Sequence, residues 1–312
     1  MHREIVVSSL RPTTSDGQKY NAFLAVAGYE RRARFIAETI RPSAQRRVAL
    51  GFADQKVLAF EGNRKWYAAG SFEYHELSDE GFQPMIETLL HEIDAGDESV
   101  ALCVDISSLS RLRMACIVAA LMQYQNQRTI SVDFLYAVAR YSPPADKSEP
   151  IPFARAVLPF FAGWSTRLDL PTVAVVGLGY EPDKAVGAYE YLEATRVWVF
   201  VPSGEDQRYD NAVRKANAHL LSRLPPEQII SYPVDQPFSS FQSLESVAFG
   251  AKSSGRVVLV PFGPKLFALS CLLVGCIHRD VAIWRISAGK YAQPINRRAS
   301  GKIVGLRSIP FK

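Results

Sequence analysis

The sequence predicts an α/β fold built from two duplicated Rossmann-like, parallel-sheet units related by pseudo-twofold symmetry. Three observations carry this expectation. Gly28-Tyr29-Glu30 recurs as Gly179-Tyr180-Glu181, about half of the 312 residues further on. In each half a short apolar run feeds straight into that tripeptide, and a helical pattern and a second apolar run follow. Each half then supplies a third apolar run, a turn, an apolar helix and an aromatic run, in the same order and at similar spacing.

Ala22-Phe23-Leu24-Ala25-Val26 and Val173-Ala174-Val175-Val176 are small and β-branched runs that end near Gly, as buried parallel strands do. Helical patterns follow over Arg34–Ile40 and Ala185–Leu192, and second strands over Arg47–Phe52 and Arg196–Val201. Two βαβ units with short connections wind right-handed into parallel sheets. Third strands are expected over Ser99–Asp105 and Arg256–Pro261, apolar helices over Met114–Leu121 and Leu266–Val274, and last strands over Ser131–Tyr136 and Asp280–Trp284. A Tyr and a Pro close each unit, Tyr141 with Pro143 and Tyr291 with Pro294.

With 48% hydrophobic residues the chain can bury a full core, and two domains are the natural division. The polar, proline-rich stretch 143–150 reads as the linker, giving a first unit over 1–148 and a second over 149–312 that includes a basic C-terminal tail. No apolar run approaches the roughly 20 residues of a spanning helix. Met1-His2-Arg3-Glu4-Ile5 carries an acid and no long apolar stretch, so no secretory leader is expected. Cys103, Cys116, Cys271 and Cys276 lie in apolar patterns without a Cys-x-x-Cys pair. They read as buried reduced thiols of a cytoplasmic protein, with no metal and no cofactor expected.

The net charge of +5 is unevenly spread. Arg31, Arg32, Arg34, Arg41, Arg46 and Arg47 crowd one stretch, and no acid follows Asp280 in a tail holding Arg285, Lys290, Arg297, Arg298, Lys302, Arg307 and Lys312. Such clusters collect phosphates or nucleic acid, or else are solvated and paired with acids such as Glu30 and Glu38. No helix-turn-helix, zinc finger or RNP-type pattern supports a nucleic-acid reader, so nucleic acid is not the favoured partner. The tail is at most a surface for a partner.

Ligands of open parallel sheets bind beyond the C-terminal strand ends, so three loops in each half matter. Gly28 and Gly179 permit a sharp turn, and Tyr29 and Tyr180 either stack on a ligand ring or pack locally. Glu30 and Glu181 either accept ligand hydrogen bonds or face a positive helix end. Asp105-Ile106-Ser107-Ser108-Leu109-Ser110-Arg111 places hydroxyls and a cation at a helix start, the makings of a phosphate or carboxylate site. Helix capping by Ser107 or Ser108 is the plainer alternative. Its counterpart Pro261-Phe262-Gly263-Pro264-Lys265 keeps the cation and replaces the hydroxyls. In the third loop, Asn63, Arg64 and Asn211 either read a base or sugar hydroxyl or sit in solvated segments.

Strand-Asp105-Ile106-Ser107-Ser108-x-x-Arg111-helix resembles the strand–Thr-Gly-Gly-Thr-Lys–helix signature of CARF domains, ligand-sensing modules of prokaryotic defence. The related SAVED domains carry two CARF-like units in one chain. The resemblance implies that Ser107, Ser108, Arg111, Gly263 and Lys265 line a phosphate-facing floor for a cyclic oligonucleotide. It covers the two β-loop-α segments and the overall plan, and the Gly-Gly pair is missing.

No Gly-x-Ser-x-Gly, P-loop, His-Glu-x-x-His or Gly-x-Gly-x-x-Gly is present. His91, His219 and His278 have no spacing partners. An enzyme would have to use carboxylates, with Asp105, Glu30 or Glu181 as base beside Arg111 or Lys265. Ring nucleases do such chemistry on the same kind of fold. The sequence therefore favours binding of a nucleotide-like or phosphorylated ligand by a sensor or complex subunit of a prokaryotic type, with no membrane partner. A nucleotide-cleaving enzyme and a protein-interaction scaffold are the alternatives.

Overall fold

Short apolar runs rich in Val, Ala and Leu can bury both faces only inside a covered sheet, and the chain supplies ten or so such runs separated by helices. In the computed structural model, residues 5–12, 17–93, 99–124, 129–144, 153–167, 169–287 and 294–310 are described. The first elements are β1 (Ile5–Leu10), β2 (Lys19–Ala27), α1 (Phe35–Thr39), β3 (Ser43–Phe52), α2 (Phe60–Ala69) and β4 (Glu73–Leu77). Next come α3 (Asp79–Ile93), β5 (Ser99–Asp105), α4 (Arg111–Gln123), β6 (Thr129–Ala139) and β7 (Phe153–Ala156). The chain continues through β8 (Thr172–Gly177), α5 (Lys184–Tyr191), β9 (Arg196–Ser203), α6 (Gln207–Ala216), α7 (Ala218–Leu221) and β10 (Ile229–Pro233). It closes with α8 (Pro237–Ala251), β11 (Arg256–Pro261), α9 (Lys265–Ile277), β12 (Ala282–Ser287) and β13 (Ala299–Pro310).

Two units result. One comprises residues 1–140 with 294–312, the other 141–293. The first holds a seven-stranded sheet in the order β1-β13-β6-β5-β2-β3-β4, the second a six-stranded sheet in the order β10-β9-β8-β11-β12-β7. Reading the first sheet backwards gives β4-β3-β2-β5-β6 against β10-β9-β8-β11-β12, five parallel strands in the same order, each followed by an antiparallel neighbour. The sheets are therefore mixed rather than purely parallel, because β13 in one and β7 in the other run against the rest, while β1, antiparallel to β13, again points the same way as the five parallel strands.

Each central strand is buried over most of its length. Ala22 through Ala27 of β2 and Val173 through Gly177 of β8 are all inaccessible. The helices following β5 and β11 are apolar nearly all round, and Leu266 through Cys276 of α9 are buried without a break. Burying each large side chain contributes about 1.5–3 kcal/mol, which is why these segments form the interior. All four cysteines are buried and unbridged.

From Pro294 on, the basic tail does not belong to the second unit, which keeps only Arg285 of the described tail cations, in β12. There the tail forms β13, inserted between β1 and β6 of the first sheet, with Arg307 opposite Asp133. Val304 and Leu306 are buried there, and Arg307 Nε and Nη2 donate to the two oxygens of Asp133 at 2.6 and 2.7 Å. Strand pairing on both sides recruits a segment whose charges had suggested a free surface. Two expected loops are helices: Phe60–Lys65 opens α2, and Tyr209–Asn211 lies in α6. Residues 1–4, most of the 143–150 linker (145–150), Lys290, Tyr291–Gln293 and Lys312 lie outside the described residues.

Candidate functional site

In the first unit the chain leaves β2 for β3 on one side, whereas from β5 it turns to β6 on the other. Loops that diverge in this way open a crevice above the strand ends, the usual ligand position in such sheets. The two loops at this switch point are Gly28-Tyr29-Glu30 and Asp105–Arg111. In the second unit the same switch falls between β8 and β11, and it brings together Gly179-Tyr180-Glu181 and Pro261–Lys265.

Gly28 carries the first loop close over the second. A methyl group on Gly28 would stand 2.8 Å from Ser108 Cβ and 3.3 Å from its Oγ, so a side chain there needs the neighbouring loop to move. Asn63 on α2 is only 2% exposed, and its side-chain amide donates to Gly28 O at 2.7 Å and to Glu30 O at 2.9 Å. Asn63 thus holds the Gly-Tyr-Glu loop instead of facing a ligand. Tyr29 is half-buried, and its carbonyl accepts from the Ala59 N–H. Arg64 spends its guanidinium on Glu61 one turn earlier.

Glu30 is 3% exposed and lies against arginines. Arg32 Nε donates to Glu30 Oε2 at 2.6 Å and Arg32 Nη1 to Ala137 O at 2.8 Å, while Arg297 Nη1 stands 3.8 Å from Glu30 Oε1. Burial works to lower the Arg32 guanidinium, but Tyr136 and Glu30 more than offset it and hold it above its ordinary value. A buried carboxylate locked to a buried arginine in this way is a structural pair.

The second loop is tied to the end of β6. Asp105 Oδ1 accepts from the Ser107 N–H at 2.8 Å, and the fully buried Ser107 accepts through Oγ from the Ala137 N–H at 2.8 Å. The helix cap is Ser110, not Ser107 or Ser108, since Ser110 Oγ accepts from the Arg113 N–H at 3.1 Å. Ser108 differs from both. It is 9% exposed, and its buried hydroxyl has no hydrogen-bond partner. Arg111 is half-buried at the first position of α4.

In the second unit Gly263 has φ +63, and a Cβ there would collide with Leu178 O, so glycine is required. A Cβ on Gly179 would displace the Glu181 carboxylate, the flexible end of its side chain, and stand 3.0 Å from the Gly263 nitrogen. Asn217, 4% exposed, donates from its side-chain amide to Gly179 O at 2.8 Å. Tyr180 is 8% exposed and meets Tyr209 edge-on at 5.3 Å, which makes it part of the core. Lys265 begins α9, which Pro264 precedes without a side-chain cap. Asn211 is exposed on α6.

Sequence reasoning passed over three residues. Arg113, two positions beyond Arg111, is 1% exposed. It donates to Asp79 Oδ1 (2.9 Å), Gly51 O (2.9 Å) and Leu77 O (2.6 Å), with Phe52 and Phe82 against its guanidinium at 3.9 and 4.8 Å. Burial pulls that guanidinium below its ordinary value despite Asp79. Asn217 and Arg297 were missed because their partners are remote in sequence. The Arg297 signal was present as a basic tail, and the recurring Asn after the second strand of each half would have flagged the other. His278, without a partner in spacing, has them in space: Nε2 meets Glu245 Oε1 at 2.8 Å and Nδ1 meets Lys252 Nζ at 3.4 Å.

Among the described residues no helix is long and apolar enough to cross a membrane. No family model and no curated protein matches the chain. Among solved structures, a protein described as a universal stress protein from Pseudomonas aeruginosa UCBPP-PA14 aligns over 86% of this chain and 94% of its own, at 10% identity and a TM-score of 0.26. That superposition is too loose to carry an argument about fold details or function, and the α/β assignment stands on the strands and helices themselves.

Proposed function

We propose that the protein binds a nucleotide-like or phosphorylated ligand at the switch point of the first sheet, acting as a sensor or a complex subunit in prokaryotic antiviral defence. The observation that carries this reading is Ser108, a buried hydroxyl without a partner between the Gly28 loop and the start of α4. An unsatisfied buried hydroxyl costs about 1–3 kcal/mol, and a phosphate oxygen accepting from it would remove that cost. The first turn of α4 and Arg111 add positive potential at the same loop.

The first unit is favoured over the second. The equivalent turn there, Pro261–Lys265, has no hydroxyl and no polar cap, so only Lys265 and the helix start would serve an anion. Two of the three carboxylates that an enzyme would use are engaged: Glu30 with Arg32, and Asp105 through Oδ1 with the Ser107 N–H. Binding without turnover is the better-supported outcome.

Thermal unfolding of the purified protein with mononucleotides, cyclic oligonucleotides and sugar phosphates tests the proposal, with each stabilising ligand recovered and weighed by mass spectrometry. A ligand at about 100 times its Kd should stabilise by about 2.7 kcal/mol, and the effect should vanish in Arg111→Ala. Recovery as fragments would establish a nucleotide-cleaving enzyme instead. No stabilisation by any compound would sink the ligand reading and favour a scaffold.

A further inference from the structure

We infer that occupancy of the Ser108 loop is conveyed to both places where the chain crosses between the two units, with Arg32 as the positioning residue that ties each crossing to the site. The inference rests on the anion site proposed above and names how its occupancy leaves the first unit. The chain departs from that unit after Arg140 and re-enters it at Pro294, so the second unit is an insertion between β6 and β13.

The two crossings are joined to each other. Ala139 and Ala299 are register partners, and one residue further out the Arg140 N–H donates to Arg298 O at 2.9 Å. Behind them the ladder is interrupted. Ala137 and Ala139 are two positions apart on β6, whereas their partners Ile303 and Ala299 are four apart on β13, and Gly301 in the extra stretch has φ +104. Such a bulge unpairs backbone and bends the strand that carries it. The fastening that the ladder gives up there is supplied by the site loops. β5 ends at Asp105 opposite Leu135, and the Ile106 N–H still reaches Leu135 O at 2.9 Å. Two residues on, the Ala137 N–H donates to Ser107 Oγ and Ala137 O accepts from Arg32 Nη1, each at 2.8 Å.

On the returning chain, Arg297 O accepts from the Arg32 N–H at 3.2 Å and Asn296 Oδ1 from the Arg31 N–H at 2.8 Å. Arg32 thus holds the outgoing crossing with its side chain and the returning one with its backbone. Glu30 is bonded to Arg32 at 2.6 Å and stands 3.8 Å from Arg297. Ser107 and Arg32 sit in the two loops that meet where Gly28 packs on Ser108. Ala137 is fully buried, so a shift of either loop must be followed by β6 or leave a buried backbone group unsatisfied. Hydrogen-bonded contacts of this kind carry coupling between sites. The repeat itself marks the difference between the units: Arg31 and Arg32 follow Glu30, whereas Pro182 and Asp183 follow Glu181. The arginines of the first repeat are a clasp on the crossings.

The test is hydrogen exchange of the full chain, read at single amides with and without inorganic phosphate at constant ionic strength. Slower exchange over residues 107–113 that is absent in Arg111→Ala reports phosphate at the site. The Ala137, Arg140 and Arg32 amides should then slow about threefold more than the Ala101 amide, which is bonded to Asn21 Oδ1 within the central strands and reports general stabilisation. Asn296→Ala removes only the acceptor of the Arg31 N–H, at a half-buried position. It should leave the effect over residues 107–113 intact and bring Arg32 down to the level of Ala101. No slowing over residues 107–113 would remove the anion site and this inference with it. Slowing there with Ala137, Arg140 and Arg32 no different from Ala101, or an undiminished effect at Arg32 in Asn296→Ala, would overturn the inference and leave the anion site standing.

Discussion

Asn63 and Asn217 make the same hydrogen bond in the two units: each side-chain amide donates to the carbonyl of the glycine that opens a Gly-Tyr-Glu loop, at 2.7 and 2.8 Å. Each lies in or just after the helix that follows the second strand of the β2-β3 or β8-β9 pair. The recurring tripeptide therefore comes with a recurring clamp.

That clamp should be measurable. Asn63→Ala strips donors from two carbonyls, Gly28 O and Glu30 O, whereas Asn217→Ala strips one outside its own helix, Gly179 O. At about 1–3 kcal/mol for leaving buried groups unsatisfied, Asn63→Ala should cost more than Asn217→Ala in urea unfolding. Equal or negligible losses would show that the loops hold themselves.

Gly28 and Ser108 should behave as a pair. Gly28→Ala puts a methyl group 2.8 Å from Ser108 Cβ and should destabilise by about 1–3 kcal/mol. Ser108→Gly removes that Cβ, so the double variant should recover most of the loss. A double-mutant cycle with no coupling between the two would contradict the close approach.

Arg113 should matter for stability more than any other single arginine among the described residues. Arg113→Ala removes the donors from Gly51 O and Leu77 O and leaves a cavity between Phe52 and Phe82, at a cost of about 3–5 kcal/mol. Arg113→Met restores volume but not donors and should fall between Ala and wild type. The midpoint of chemical denaturation reads both.

Asp133 anchors the last strand. Its oxygens accept from Arg307 at 2.6 and 2.7 Å and from Tyr20 OH at 2.7 Å, and the residue is 2% exposed. Arg307→Ala leaves that carboxylate buried with its cation gone, while Arg307 itself is partly solvated, so a loss of about 2–3 kcal/mol is expected. Asp133→Asn together with Arg307→Ala should cost less than Arg307→Ala alone. Hydrogen exchange should show the opening in β13 first.

Stability should fall at high pH. Burial raises the Tyr20 and Tyr67 hydroxyls and the Cys103 thiol, and pushes the Cys276 thiol from 9.0 up to about 12. The unfolded chain then releases these protons before the folded one, so it binds fewer protons and unfolding gains. The contribution of Cys276 is whole below pH 9.0 and is lost as pH rises towards about 12. Denaturation midpoints should drop through this window, and Cys276→Ala should flatten the drop.

Several features were legible in the residues alone. The apolar runs of β2, β5, β8 and β11, the helices α4 and α9 and the loops at Gly28, Asp105, Gly179 and Pro261 follow from local pattern, because a strand buried on both faces must be continuously apolar. Tertiary structure decided the rest. Whether Val304 and Leu306 belonged to a tail or to a strand depended on finding β1 and β6 on either side, a pairing across most of the chain. The roles of Asn63, Arg113 and Glu30 depended on carbonyls and charges that the fold, not the spacing, brings within hydrogen-bond reach. Periodicity reports which face of a segment avoids water; it carries no record of which distant polar group will meet a buried one.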